Sequence, residues 1–129
     1  MVSDALTTRE RGVELLREGS IADSIEFLLQ AIAEDPSDIN LYLWLGLAYA
    51  HEGDFDKSIS ILEQAADVAP ISAKVHYNLG VAYYRAKNLT QAKDEFIRAA
   101  GLDPNYTAAR NALEIVARLP NNTRQIDNT

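Results

Sequence analysis

His76-Tyr77-Asn78-Leu79-Gly80-Val81-Ala82-Tyr83-Tyr84 decides the fold, because it returns upstream as Leu45-Gly46-Leu47-Ala48-Tyr49 at a spacing of 34 residues. Gly12, Gly46 and Gly80 keep that spacing, and so do Pro36, Pro70 and Pro104, and Ala31, Ala65 and Ala99. Other positions keep chemical type: Leu15/Tyr49/Tyr83, Leu28/Leu62/Phe96, Ser24/Ser58/Ala92 and Ile21/Phe55/Leu89. Self-similarity at one fixed period marks a repeat architecture, in which each unit buries its apolar face only against its neighbours.

Each unit reads as two helices and a turn. In the second, residues 40–52 form the first helix, Gly53-Asp54 the break and residues 55–68 the second helix. Pro70 then stops it, since proline has no amide donor and clashes with the preceding turn. The third repeats this with residues 74–86, Lys87-Asn88 and residues 89–102. Ile25, Leu28, Leu29 and Ile32 show the three-and-four spacing of an amphipathic helix. A glycine inside a helix costs about 1 kcal/mol relative to alanine. Its recurrence in every first helix predicts that this helix approaches its partner too closely for a side chain. The small Ser24, Ser58 and Ala92 are the expected complementary surface.

With Gly53-Asp54-Phe55, Ala65 and Pro70 in the second unit, and Ala92, Phe96, Ala99, Asp103 and Pro104 in the third, the chain resembles the tetratricopeptide repeat family. The resemblance covers residues 5–38, 39–72 and 73–106. The first unit departs from it, with Thr8 and Arg11 where the family places an aromatic and a leucine. The implied fold is all-α, a right-handed solenoid of about seven antiparallel helices forming a single domain over residues 1–120. A fourth first-helix pattern over 107–119 (Thr107, Ala109, Arg110, Leu113, Val116, Ala117) reads as the element capping the last exposed core, and the polar residues 121–129 read as a flexible tail.

Composition narrows the function. The chain is 47% hydrophobic and 24% charged, ordinary for a globular protein, and carries a net charge of −7. That balance disfavours nucleic acid. The absence of cysteine removes thiolate nucleophiles, disulfides and thiolate metal sites. The longest apolar run, residues 41–50, is half of what a bilayer span of about 20 residues needs. Residues 1–6 lack a signal-peptide pattern, so a cytoplasmic protein without membrane insertion is expected. His51 and His76 lie on separate first helices and make no metal motif. His76 occupies a large-aromatic core slot of the family, so it is expected to pack. Asp23, Glu26, Asp56, Glu63, Asp94 and Glu95 read as solvated outer-face carboxylates. No phosphate loop, nucleophile elbow, metal or cofactor motif occurs, and the chain reads as no enzyme.

In the family the first helices line a concave groove that holds polypeptide partners. Carried over by position, the groove residues are Arg9, Val13 and Arg17, then Leu43, Trp44 and Leu47, then Lys74, Tyr77, Asn78, Val81, Tyr84 and Arg85. Leu6, Glu10, Leu16, Asn40, Ala50, His51, Asn111 and Ile115 complete the set. Residues 40–52 are apolar almost all round. Leu41, Tyr42, Leu45 and Tyr49 suffice for the core, so Leu43, Trp44 and Leu47 are left over for a partner, with Trp44, Tyr77 and Tyr84 as anchors. Arg9, Arg17, Lys74 and Arg85 against Glu10 suggest an acidic or C-terminal peptide segment. The alternative is self-association, the groove being filled by a second copy. Some family members grip the terminal carboxylates of heat-shock chaperones with a five-residue clamp. Its positions here hold Arg9, Val13, Trp44, Lys74 and Asn78. Val13 and Trp44 replace amide side chains, and Asn78 replaces an arginine, so the clamp is absent. The resemblance therefore implies an adaptor or assembly module with an aromatic, lightly basic groove.

Overall fold

The computed structural model describes residues 6–120. Seven helices follow one another: α1 (Thr8–Glu18), α2 (Ile21–Glu34), α3 (Ile39–His51), α4 (Phe55–Val68), α5 (Ala73–Arg85), α6 (Leu89–Leu102) and α7 (Thr107–Ala117). Each packs on the next, and α3 also touches both α1 and α5. The result is an all-α helical repeat solenoid whose first helices share one side. The proposed tail at 121–129 lies outside the described residues.

Local chemistry starts and stops the helices where the repeat requires. Thr7 accepts from the Glu10 amide while Glu10 reaches back to the Thr7 amide, a reciprocal cap that starts α1 despite the unusual Thr8 and Arg11. Asp38, Asp54, Ser72 and Asn88 cap α3 to α6 without the return bond, each accepting from a first-turn amide. The turns within the three units place Gly19 (φ 85°), Gly53 (φ 80°) and Lys87 (φ 66°) in the left-handed region. The third turn keeps that conformation with a lysine, at a cost of about 1–2 kcal/mol.

The close approach within each pair has a clear physical form. A Cβ built on Gly12 would sit 3.0 Å from Leu28 Cδ2, on Gly46 2.9 Å from Leu62 Cγ, and on Gly80 2.6 Å from Phe96 Cε1. The opposing small residues Ser24, Ser58 and Ala92 are buried. Two of them also bond across the pair: Ser24 Oγ donates to the Gly12 carbonyl and Ser58 Oγ to the Gly46 carbonyl, both at 2.8 Å. Leu28, Leu41, Leu45, Leu62, Val75, Leu79 and Phe96 fill the continuous core between the units. At the C-terminal end α7 packs on α6 and buries Ala109 and Val116.

Two outer-face carboxylates are not simply solvated. Glu95, 14% exposed, meets His76 Nδ1 at 2.8 Å, while the other ring nitrogen, Nε2, lies 2.7 Å from the Pro70 carbonyl. Glu63 accepts from the Tyr83 hydroxyl at 2.9 Å. Asp23, Glu26, Asp56 and Asp94 are exposed as expected. His76 is therefore a packed core residue whose two ring nitrogens also face two polar groups. It replaces the tyrosine found one repeat earlier, where Tyr42 donates to the Pro36 carbonyl at 2.7 Å. A period-34 reading locates the slot but not the partner, because Ile61 stands in the second repeat where Glu95 stands in the third.

The Tyr83 phenol is pushed up to about 12 by burial, then by the bond to Glu63 and the charges of Glu63 and Glu95. The folded chain thus holds this proton more tightly than the unfolded chain, whose tyrosines ionise near 10. Stability contributed by the neutral phenol is fully present below about pH 10 and is lost as pH rises toward 12, a total of about 2–3 kcal/mol. Urea unfolding at stepped pH should show this slope, and Tyr83→Phe should flatten it relative to the parent chain. An equal slope in both proteins refutes the assignment.

Candidate functional site

The face shared by α1, α3 and α5 carries the residues assigned to the groove, and burial divides them into distinct groups. On α1, the spacing of three and four puts Arg9, Glu10, Val13, Glu14 and Arg17 around one shallow depression, which Leu6 joins from just before the helix. Leu16 does not join them: it is 9% exposed and sits in the core. Arg9 is not a free cation either. Its Nε donates at 2.8 Å to Asp38, the residue that caps α3. The sequence gives no sign of this role for Asp38, because an acidic helix cap accounts for itself locally, and only the stacking of the first two units brings it to Arg9.

On α3, the expectation that Leu43, Trp44 and Leu47 are all surplus to the core needs correction. Leu43 and Trp44 are partly buried and pack against the core cluster, while Leu47 is the exposed member. A helix flanked by α1, α2, α4 and α5 must cover several neighbours, so one apolar stripe is not enough for it.

On α5, Tyr77 is also partly buried. Its ring lies 5.8 Å from Phe96 and 5.2 Å from Tyr106, both tilted arrangements of the favourable kind. Tyr106, the residue before α7, is absent from the positions assigned by sequence; an aromatic at the entry to the last helix is the available signal. Burial raises its phenol, with Tyr77 and Asp103 adding to the effect. Tyr84, at 41% exposure, is the aromatic left to solvent on α5. Lys74 and Arg85 are exposed, and the Asn78 amide donates to the Lys74 carbonyl one turn back at 2.8 Å.

Six of the assigned residues converge, Ala50 among them. Leu43 and Leu47 from α3 and Asn78, Val81 and Arg85 from α5 line one hollow of about 80 Å³, opened by Ala50. Its floor is Gly46, Ser58, Leu62 and Ala82, residues that the repeat pattern assigns to packing. The missing side chain of Gly46 thus serves both the helix contact and the hollow above it. Trp44, Tyr77 and Tyr84 lie outside this hollow, and Val13 and Arg17 belong to the depression on α1.

Among the described residues, Arg17, Lys74 and Arg85 make no ion pair, whereas Arg9, Arg11, Lys57 and Arg98 do. Three unpaired cations therefore lie on the first-helix face of an acidic chain. Also among the described residues, no group of three His, Cys, Asp or Glu side chains could hold a metal ion, and no helix is long and apolar enough to cross a membrane.

Comparison with known proteins leads to the same architecture. No curated protein matches the sequence. Solved structures match the fold closely at low identity. A structure described as the first TPR of Spaghetti (RPAP3) bound to the HSP90 peptide SRMEEVD superimposes with a TM-score of 0.79 at 22% identity, covering 86% of this chain and 88% of that one. The second TPR domain of human RPAP3 in complex with the HSP70 peptide SGPTIEEVD gives 0.80 at 22% identity, covering 88% and 94%. The Yersinia enterocolitica type III secretion chaperone SycD, in complex with a peptide of the translocator YopD, gives 0.78 at 16% identity, covering 85% and 89%. Two family models, each described as tetratricopeptide repeat, match residues 15–70 and 45–107. Together they run from the end of α1 to the start of α7, and the chain belongs to the tetratricopeptide repeat family.

Proposed function

We propose that this chain is a non-catalytic, cytoplasmic protein-interaction module that holds a peptide segment of a partner on the face formed by α1, α3 and α5. Its binding unit would be the three repeats at 5–38, 39–72 and 73–106 with the cap at 107–119. The observation that carries the reading is the half-enclosed apolar hollow between α3 and α5 with the unpaired Arg85 at its edge. An apolar recess beside a charged group is the general form of a peptide anchor site. The peptide complexes formed by structurally similar domains support it at the level of the fold.

The two RPAP3 peptides end in Glu-Glu-Val-Asp. The positions of this chain that match a terminal-carboxylate clamp are poorly equipped for that ligand. Val13 brings no side-chain donor, Trp44 brings one indole N–H on a partly buried ring, Arg9 is held by Asp38, and the Asn78 amide is engaged with the Lys74 carbonyl. The reading therefore favours an internal acidic segment over a clamped C-terminus.

Affinity capture with the full chain, beside Leu47→Glu and Arg85→Glu, tests this. Both positions are exposed, so the variants should keep the parent's stability within about 1 kcal/mol. They should lose the polypeptide that the parent retains. Equal capture by all three proteins would count against the face. Trp44→Ala is a less clean control, because Trp44 also packs on the core and its truncation lowers stability. Light scattering over a concentration series addresses the second copy as occupant: a dimer that Leu47→Glu dissociates would replace this reading with self-association.

A further inference from the structure

We infer that the hollow between α3 and α5 is a pocket for one branched aliphatic side chain of an extended peptide, and that Arg85 binds a carboxylate within about two residues of it. This rests on the reading of the first-helix face as a peptide site and adds the chemistry of the segment bound.

Size comes first. At about 80 Å³ the hollow has roughly half the volume of a cavity of about 150 Å³ that accepts benzene. A valine, isoleucine or leucine side chain suits it and an indole does not. Leu43, Leu47 and Val81 form apolar walls, so an aliphatic group entering there exchanges water for carbon on several sides.

The repeat register bears on why the hollow between α3 and α5 is open. Ala50 is equivalent to Leu16 in the first unit and Tyr84 in the third, each 34 residues away. Leu16 is buried and Tyr84 stands out from the surface. A side chain of either size at position 50 would close the mouth, so the alanine leaves it open.

Polar groups then set direction and charge. Asn78 and Arg85 lie seven residues apart on the same side of α5, with Val81 between them. Arg85 is one turn beyond Val81, about 6 Å along the axis, which is the rise of about two residues of extended chain. With its amide nitrogen directed to Lys74, Asn78 has its oxygen left to accept a peptide N–H. Arg85, Lys74 and Arg17 lack ion pairs among the described residues. A chain of net charge −7 repels a second copy of itself, while this face attracts an anionic segment.

The test is selection of a displayed random heptapeptide library on the full chain. Enriched sequences should place Val, Ile or Leu within two residues of Asp or Glu. A synthetic peptide of that consensus should bind about tenfold more weakly to Ala50→Phe and to Arg85→Glu, with Arg85→Lys retaining most of the affinity. Its titration should shift the methyl resonances of Leu47 and Val81, a readout that does not depend on Ala50→Phe folding. Enrichment of basic or aromatic peptides, or no effect of the Arg85 reversal, overturns the pocket. If such peptides still perturb resonances on the α1–α3–α5 face, the peptide-binding reading stands without it. Failure to enrich any peptide overturns both.

Discussion

Gly80→Val is expected to destabilise the chain by about 3 kcal/mol or more, and Gly80→Ala by about 2 kcal/mol, although alanine is the better helix former. The new Cβ would lie 2.6 and 2.7 Å from two ring carbons of Phe96. That ring is 2% exposed and rigid, so it has nowhere to retreat. The equivalent contacts at Gly46 and Gly12 are to Leu62 and Leu28, at 2.9 and 3.0 Å, and a leucine can change rotamer. Alanine should therefore cost less at Gly46, and least at Gly12. Gly101 provides the opposite control: it lies within α6 with nothing near its missing Cβ, so Gly101→Ala should gain about 0.5–1 kcal/mol. Phe96→Leu should recover part of the loss when combined with Gly80→Ala, since it replaces the rigid ring by the leucine found at the equivalent Leu62, which can change rotamer. Thermal unfolding of the set resolves these differences at about 4 °C per kcal/mol for a chain of this size. A Gly80→Ala protein as stable as the parent would show that the helices can separate without penalty, and the close-packed account of the glycines would fail.

His76→Ala is expected to cost about 3–4 kcal/mol, more than its lost contacts alone. It removes the ring whose two nitrogens lie against the Glu95 carboxylate and the Pro70 carbonyl, leaving Glu95 mostly buried with Arg98 at 3.6 Å. The second repeat supplies the compensating experiment. There the same two positions hold Tyr42, which bonds the Pro36 carbonyl, and the buried Ile61. The double replacement His76→Tyr with Glu95→Ile should therefore restore stability to within about 1 kcal/mol of the parent. Each single change should fall short, because His76→Tyr strands Glu95 and Glu95→Ile strands the histidine nitrogen. The readout is the coupling in a double-mutant cycle from urea unfolding. Strictly additive effects would mean that the His76–Glu95 contact has no energetic weight.

The repeat architecture was legible because its signals are local and recur. A glycine, a small residue and a proline at one spacing state where each helix starts, where it touches and where it stops. The groove was legible as a set of positions, and the hollow drew six of its residues from that set. The aromatic anchors were not. Trp44 and Tyr77 look surplus when one helix is considered alone, and each is partly covered once neighbours from other elements arrive. Arg9 likewise reads as a groove cation until Asp38 at the start of α3 reaches it.

The linear sequence by itself determined the helix pairs, their caps and the close contact at Gly12, Gly46 and Gly80, since these depend on residues close together along the chain. Tertiary structure alone decided which groove residues remain free. Burial and charge pairing on that face are set by helices that only the folded stack brings together, as with Arg9 and Asp38, Tyr77 and Tyr106, and the hollow that α5 closes against α3.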